Sequence, residues 1–232
     1  MKKKSLVLAI SMVICISGIF AQADMQETVT MIKKNLTDSK EKIKNYEWVE
    51  TTTTFYKGEQ KSVKQNQCYY SVDGKLTKVA TGATTDPGKT PGGLRGKVVA
   101  NKKEEMADYI KAAIAKIQTY LPPDAGKIQQ IYAGGTVTIQ VLEPGKKFKL
   151  NFPDYNEKGD MLSISVDKVN QKIMALAVTT SVDNPNEKVV FNITYSDLPD
   201  GTQYASSTIL DAQPKEVKIV IENSGYKKAA GK

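Results

Sequence analysis

The stretch from Thr136 to Glu222 decides the fold: TVTIQV (136–141), KFKLNF (147–152), LSISV (162–166), IMALAVTTSV (173–182), VVFNITY (189–195), YASSTIL (204–210) and VKIVI (217–221) follow one another. In six of the seven segments apolar residues alternate with polar ones, as a strand with one buried face requires. The exception, 173–182, is apolar at nearly every position through Val178, which suits a central strand covered on both sides. Each segment is closed by a turn signal. Glu143-Pro144-Gly145-Lys146 places Pro and Gly at the central positions of a type II turn. None of the breaks at Asp183-Asn184-Pro185-Asn186, Leu198-Pro199-Asp200-Gly201 and Gln213-Pro214-Lys215 could hold a crossover helix, so successive strands are antiparallel neighbours in a meander.

Such a sheet needs a cover. Seven strands pointing about three apolar side chains each to one side give roughly twenty side chains, each favouring burial by ~1.5–3 kcal/mol. The cover is a second sheet, closure into a barrel, or helices from elsewhere in the chain.

Two amphipathic stretches supply helices. From Met25 to Asn45 the apolar positions Met25, Val29, Ile32, Leu36 and Ile43 recur at helical spacing, and packing on the sheet explains that stripe more simply than a membrane or partner surface. A second helix begins near Lys102, carries the stripe Met106, Ile110, Ala113, Ile114, Ile117 and Leu121, and ends at Pro122-Pro123. Asp124 to Tyr132 adds a short helical turn. Between the helices, 46–56 and about 61–72 read as strands separated by Lys57-Gly58. Asp73-Gly74, a two-residue hairpin signal, then turns the chain into a third strand at 75–81.

The segment 82–101 is rich in glycine and proline and reads as an exposed basic loop. It contains Ala83-x-x-x-x-Gly88-Lys89-Thr90, a permissive P-loop match. A P-loop needs a helix directly after Lys-Thr to cradle phosphate, and Pro91-Gly92-Gly93 follows instead, so the match is set aside.

Residues 1–23 read as a secretory signal peptide: Lys2, Lys3 and Lys4, an apolar stretch from Leu6 to Phe20, then Ala21-Gln22-Ala23. A lipoprotein anchor at Cys15 is disfavoured by Ile14 before it. The expected destination is the periplasm or the exterior, with no transmembrane segment after cleavage. The mature domain spans 24–222, followed by a polar, frayed tail at 223–232.

Without Lys2, Lys3 and Lys4, the 33 basic residues exceed the 25 acidic ones by only five, and Arg95 is the sole arginine. No basic groove interleaved with aromatic residues appears, which argues against a nucleic-acid partner. Cys68 is the only cysteine beyond the signal segment, and at strand spacing with Tyr70 and Val72 it reads as a buried core residue.

The chain has no histidine. That removes the commonest general base, the usual nucleophile pairs and most zinc sites, so no catalytic residue, metal or cofactor is expected. Ser39-x-x-Lys42 has the spacing of Ser/Lys hydrolases but falls on what reads as the exposed side of the first helix. Asp197 and Asp200 sit at a turn, which their side chains help to shape.

This order of elements, an exported chain with a helix, three strands, a helical insertion and a long meander, resembles the LolA-like superfamily of periplasmic lipoprotein carriers and related lipid-binding and sensor proteins. More narrowly, Tyr46-Glu47-Trp48 through Cys68-Tyr69-Tyr70 and Val98-Val99-Ala100-Asn101-Lys102-Lys103-Glu104-Glu105-Met106 resemble a group of uncharacterised exported bacterial proteins. The resemblance implies an α+β fold: a strongly curved antiparallel sheet of about ten strands, an incomplete barrel, covered by two amphipathic helices around an apolar cavity for acyl chains. The loop at 82–101 departs from that pattern, and no ligand residue of the carriers transfers position by position.

Geometry leads to the same cavity. One helix covers roughly 10 Å of sheet while each strand adds about 4.8 Å, so two helices cannot cover ten strands unless the sheet bends. The expected lining is Trp48, Phe148, Leu150, Leu162 and Ile164 from strands with Met106, Ile110 and Ile114 from the second helix. It carries no fixed charge and would suit a lipid or another apolar ligand. The alternative is an envelope interaction or sensor module with a filled core, docking a protein partner.

Overall fold

The computed structural model describes residues 30–31, 33–82 and 93–229, with backbone alone over 93–100. The expected signal segment and the P-loop match lie outside the described residues. Helix α1 (33–42) ends in a 3-10 turn at Ile43–Asn45. Strands β1 (Tyr46–Tyr56), β2 (Glu59–Tyr70) and β3 (Leu76–Ala80) follow, then helices α2 (Gly93–Gln118) and α3 (Ala125–Ala133). The meander is β4 (Thr138–Glu143), β5 (Lys147–Pro153), β6 (Met161–Asp167), β7 (Lys172–Ser181), β8 (Lys188–Asp197), β9 (Gln203–Ala212) and β10 (Val217–Lys228). All ten strands form one antiparallel sheet in the order β3-β2-β1-β10-β9-β8-β7-β6-β5-β4, curved and open, with β3 and β4 at its edges. The fold is α+β with a curved, open sheet, as expected, and the short helical turn read at 124–132 is α3.

Turn chemistry sets the register. Gly145 has φ of 72° and Lys146 N–H donates to Glu143 O at 3.0 Å, the type II turn expected after β4. The two-residue hairpin is at Lys57-Gly58, where both residues have positive φ (54° and 77°) as a type I′ turn demands. The Asp73-Gly74 turn is longer than the two residues expected, closed by Ser71 N–H donating to Lys75 O.

Three expected boundaries move. Helix α2 begins at Gly93, not near Lys102, so the loop expected over 82–101 is helical in its last part; Leu94 to Ala100 contains enough helix formers to extend the helix backwards from Lys102. The tail expected to fray from 223 is instead paired: β10 runs to Lys228, because β1 offers it a partner, with Tyr46 opposite Lys228. In β7 burial alternates, with Ile173, Leu176, Val178 and Thr180 buried and the residues between them half-buried, so this strand has one core face. Its other face carries the small residues Ala175 and Ala177, whose apolarity mimics a doubly covered strand.

The helix-facing side of the sheet changes along its width. One row of directly paired residues runs Ile139, Leu150, Ile164, Leu176, Ile193, Thr208, Ile221, Thr52, Lys64, from β4 across to β2. A second runs Phe152, Leu162, Val178, Phe191, Leu210, Ile219, Thr54, Ser62. Both rows begin apolar and end in hydroxyls and a lysine.

The helices follow the apolar part. Tyr120, Ile128 and Tyr155 pack with Leu150, Phe152, Leu162, Ile164, Leu176 and Val178, while Tyr109, Ala113 and Ile117 of α2 pack on Val189, Leu210, Ala212 and Val217. Fully buried Tyr120 keeps its hydroxyl satisfied by donating to Asp160 Oδ2 at 2.5 Å, with Thr180 Oγ1 3.0 Å away. Burial and the Asp160 carboxylate both push its ionisation well above the ordinary tyrosine range.

Candidate functional site

Helix α1 lies across the sheet at three attachments. Leu36 packs against the first core, Asn35 Nδ2 donates to Gln171 O, and Ser39 Oγ accepts from Gln203 N–H at 3.0 Å. Ser39 is therefore buried against the sheet rather than on the exposed side expected from the sequence, because Leu36 and Ile43 define a face that includes position 39. Helix α3 starts at Asp124, whose Oδ1 accepts from Lys127 N–H at 2.7 Å as an N-cap and whose own N–H donates to Tyr155 Oη at 2.8 Å.

Between α1 and the start of α3 the sheet is uncovered. A cavity of about 340 Å³ opens there, lined by Leu36, Pro122, Pro123, Ile128, Ile164 and Ile173. Two helices and the sheet hold these walls. Lys33 and Asp124 stand exposed at the border, so charge is confined to the rim and the floor is apolar.

Of the eight residues expected to line one cavity, the structure brings Ile164 to this opening. Leu150 and Leu162 are buried in the first core with Phe148 against its edge, so they fill the sheet's interior. Met106 and Ile110 pack on the second core. Ile114 is 43% exposed. The buried stripe of α2 is centred on Tyr109, Ala113 and Ile117, which places position 114 one residue, or about 100°, off the covered side.

Trp48 lies elsewhere. Its ring stacks on Tyr226 with centroids 5.4 Å apart and planes 12° apart, and Tyr70 lies 6.0 Å away. Tyr204 closes on Tyr226 at 4.3 Å. Trp48 Nε1 donates to Asn223 Oδ1 at 3.0 Å, and Asn223 Nδ2 donates to Ala205 O at 2.9 Å, which locks the corner together. These rings and the end of α1 border a second, smaller hollow of about 250 Å³. Burial and the neighbouring Tyr204 raise the ionisation of Tyr226, so it stays a neutral phenol. Below the corner, Tyr46 donates to Asp200 Oδ2 at 2.7 Å and Thr202 N–H donates to Asp200 Oδ1 at 3.0 Å; the Tyr46 bond first, and Thr202 after it, hold the Asp200 carboxyl down to about 2.

Apart from Ile164, nothing in the sequence marks the residues of the first opening as walls of a cavity. Pro122-Pro123 reads locally as a helix stop, and nothing in its spacing announces that it faces Leu36 of another helix. Among the described residues no three metal-ligating side chains come together, and no helix is long and apolar enough to cross a membrane. Cys68 is buried, as expected. Comparison with protein-family models, curated proteins and solved structures finds no match to this chain.

Proposed function

We propose that this is an exported binding protein that takes a lipid or other apolar ligand into the cavity between α1, α3 and the sheet. One observation carries the reading: about 340 Å³ of space walled by six apolar side chains from α1, the α2–α3 linker, α3 and two strands, with charges only at the rim. That volume lies in the range of small-molecule sites, which are concave, mostly apolar and bordered by a few polar groups. It would hold a short acyl chain or the end of a longer one, with Lys33 placed to meet an anionic head. The leader-like sequence at 1–23 and the resemblance of the element order to LolA-like carriers support the same reading, and a carrier in the periplasm needs no catalytic group.

A second reading, the interaction module, is favoured by a different observation. The interior formed by Leu150, Phe152 and Leu162 is filled, and edge strand β4 exposes Ile139, Val141 and Leu142, which a partner strand could cover.

Titration of the purified mature protein with a fluorescent fatty-acid probe separates the two. Ala125, at the border of the cavity, is the position to fill. Ala125→Phe is expected to weaken probe binding at least tenfold with little change in the thermal midpoint. Absence of probe binding by the unaltered protein removes the carrier reading and leaves the module.

A further inference from the structure

We infer that helix α1 is a hinged strap laid over one long groove, and that the ligand this groove selects is a long acyl chain, admitted when α1 lifts. The inference rests on the carrier reading and deepens it.

The two hollows share a wall. Leu36 borders the apolar cavity of about 340 Å³ and also the hollow of about 250 Å³ beside the aromatic corner. Lys33 and Thr37 of α1 line the first, Ser39 and Lys40 the second. On the sheet the partition falls at Gln203, which lines the second hollow while its Nε2 donates at 2.9 Å to the carbonyl of Ile173, a wall of the first. Leu36 and Ser39 thus come down on the sheet and divide a trough that runs from Ile164 and Ile173 to Tyr195 and Tyr204.

Helix α1 is held there lightly. From Lys33 to Lys42 its only apolar residue is Leu36, which is half-buried, and the one buried residue of this stretch is a serine, Ser39. Helix α2, in contrast, buries Tyr109, Ala113 and Ile117. A helix keeps its place in a fold mainly through the apolar face it packs. With so little of one, α1 depends on Leu36 and two hydrogen bonds, from Asn35 Nδ2 to Gln171 O and from Gln203 N–H to Ser39 Oγ. Just beyond α1 the chain is pinned: Ala229 N–H donates to Asn45 O at 2.9 Å and Tyr46 donates to Asp200 Oδ2. The 3-10 turn at Ile43–Asn45 is therefore the hinge. The closed position also carries a cost. Gln203, on which Ser39 rests, keeps its Oε1 buried with no hydrogen-bond partner among the described residues, and lifting α1 lets water reach it.

Segments that bury few apolar contacts open at low free energy. A ligand that binds only the raised state gains affinity in proportion to the fraction of molecules in which α1 is raised. A short chain fits the apolar cavity under the closed strap, whereas a long one runs on beneath α1 into the second hollow. Cutting a tie of α1 should therefore tighten the long chain and leave the short one alone.

The experiment measures octanoate and palmitate by displacement of the fluorescent fatty-acid probe from the mature protein, from Ser39→Ala and from Asn35→Ala, with hydrogen exchange of the backbone amides in parallel. Each variant removes one hydrogen bond and is expected to tighten palmitate about fivefold while octanoate is unchanged. The amides of 36–42 should exchange faster than those of β6 and β7, and faster still with palmitate but not with octanoate. Weaker palmitate binding in both variants makes α1 a fixed wall and overturns the inference. So does an equal response of the two acids, or exchange in α1 as slow as in β6 and β7. If the probe does not bind at all, the carrier reading fails and this inference with it; if octanoate binds and neither variant alters palmitate, the strap alone fails.

Discussion

The two halves of the sheet are built from the same strand geometry and do different things with it. In the half from β5 to β8 the helix-facing rows are leucine, isoleucine, valine and phenylalanine under α2 and α3, and the side chains close on one another. In the half from β10 to β2 the same rows continue into Thr52 and Lys64, or into Thr54 and Ser62, and the hydrophobic clusters reach it only at one end, through Val217, Ile219 and Tyr56. Three helices do not fill a sheet of ten strands. The chain changes its composition where the helices run out, and two openings lie along that border, beside α1.

The strongest test of that contrast is a pair of substitutions. Leu162→Ala, in the packed half and fully buried, is expected to cost about 2–5 kcal/mol in urea unfolding, since it removes three carbons from an interior that cannot fully collapse. Thr54→Ala, on the continuation of the same row, should change stability by no more than ~0.5 kcal/mol. Equal costs at the two positions would dissolve the distinction between the halves.

A smaller effect reports how the packed half is anchored. Tyr120→Phe keeps the ring and deletes the hydroxyl that Asp160 accepts from, leaving the buried carboxylate with the backbone N–H groups of Asn156 and Glu157. Loss of about 1–3 kcal/mol is expected by denaturant unfolding.

The smallest effect belongs to the other side. The Asp200 carboxyl is depressed in the folded protein to about 2 by the Tyr46 hydroxyl and Thr202. A group with a lowered folded pKa contributes stability that is present in full above its unfolded value, about 3.8, and is lost as pH falls through about 2. The melting temperature of the unaltered protein should therefore fall more steeply between about pH 4 and 2 than that of Tyr46→Phe. Parallel curves would show that the bond between β1 and the β8–β9 turn contributes nothing in acid.

Most elements are legible in the chain because their signals are local. Alternation places six of the meander strands and a short apolar run the seventh, Pro144-Gly145 places a turn by the φ that glycine accepts most readily, and Pro122-Pro123 stops α2 near where it ends. Two of the misses share one cause. Asn223 to Lys228, polar and glycine-containing, reads as a fraying end, yet these residues are held by β1, whose pairing with β10 joins chain segments about as far apart as the fold allows. Ile114 belongs to an apolar stripe in sequence, but which edge of the stripe meets the sheet depends on the rotation of α2, set by Tyr109 and Ile117 against the second core.

The kinds of element, their order and the antiparallel meander can be read from the residues alone, because side-chain periods of 2 and 3.6 are properties of the chain and need no partner. Where the openings lie was settled by packing across the fold. The apolar cavity takes its walls from residues 36, 122, 128, 164 and 173, and the aromatic corner ties Trp48 to Asn223, 175 positions away. Contacts of that separation leave no spacing to read; they exist because β10 returns to pair with β1 and α1 is then laid across the border of the sheet.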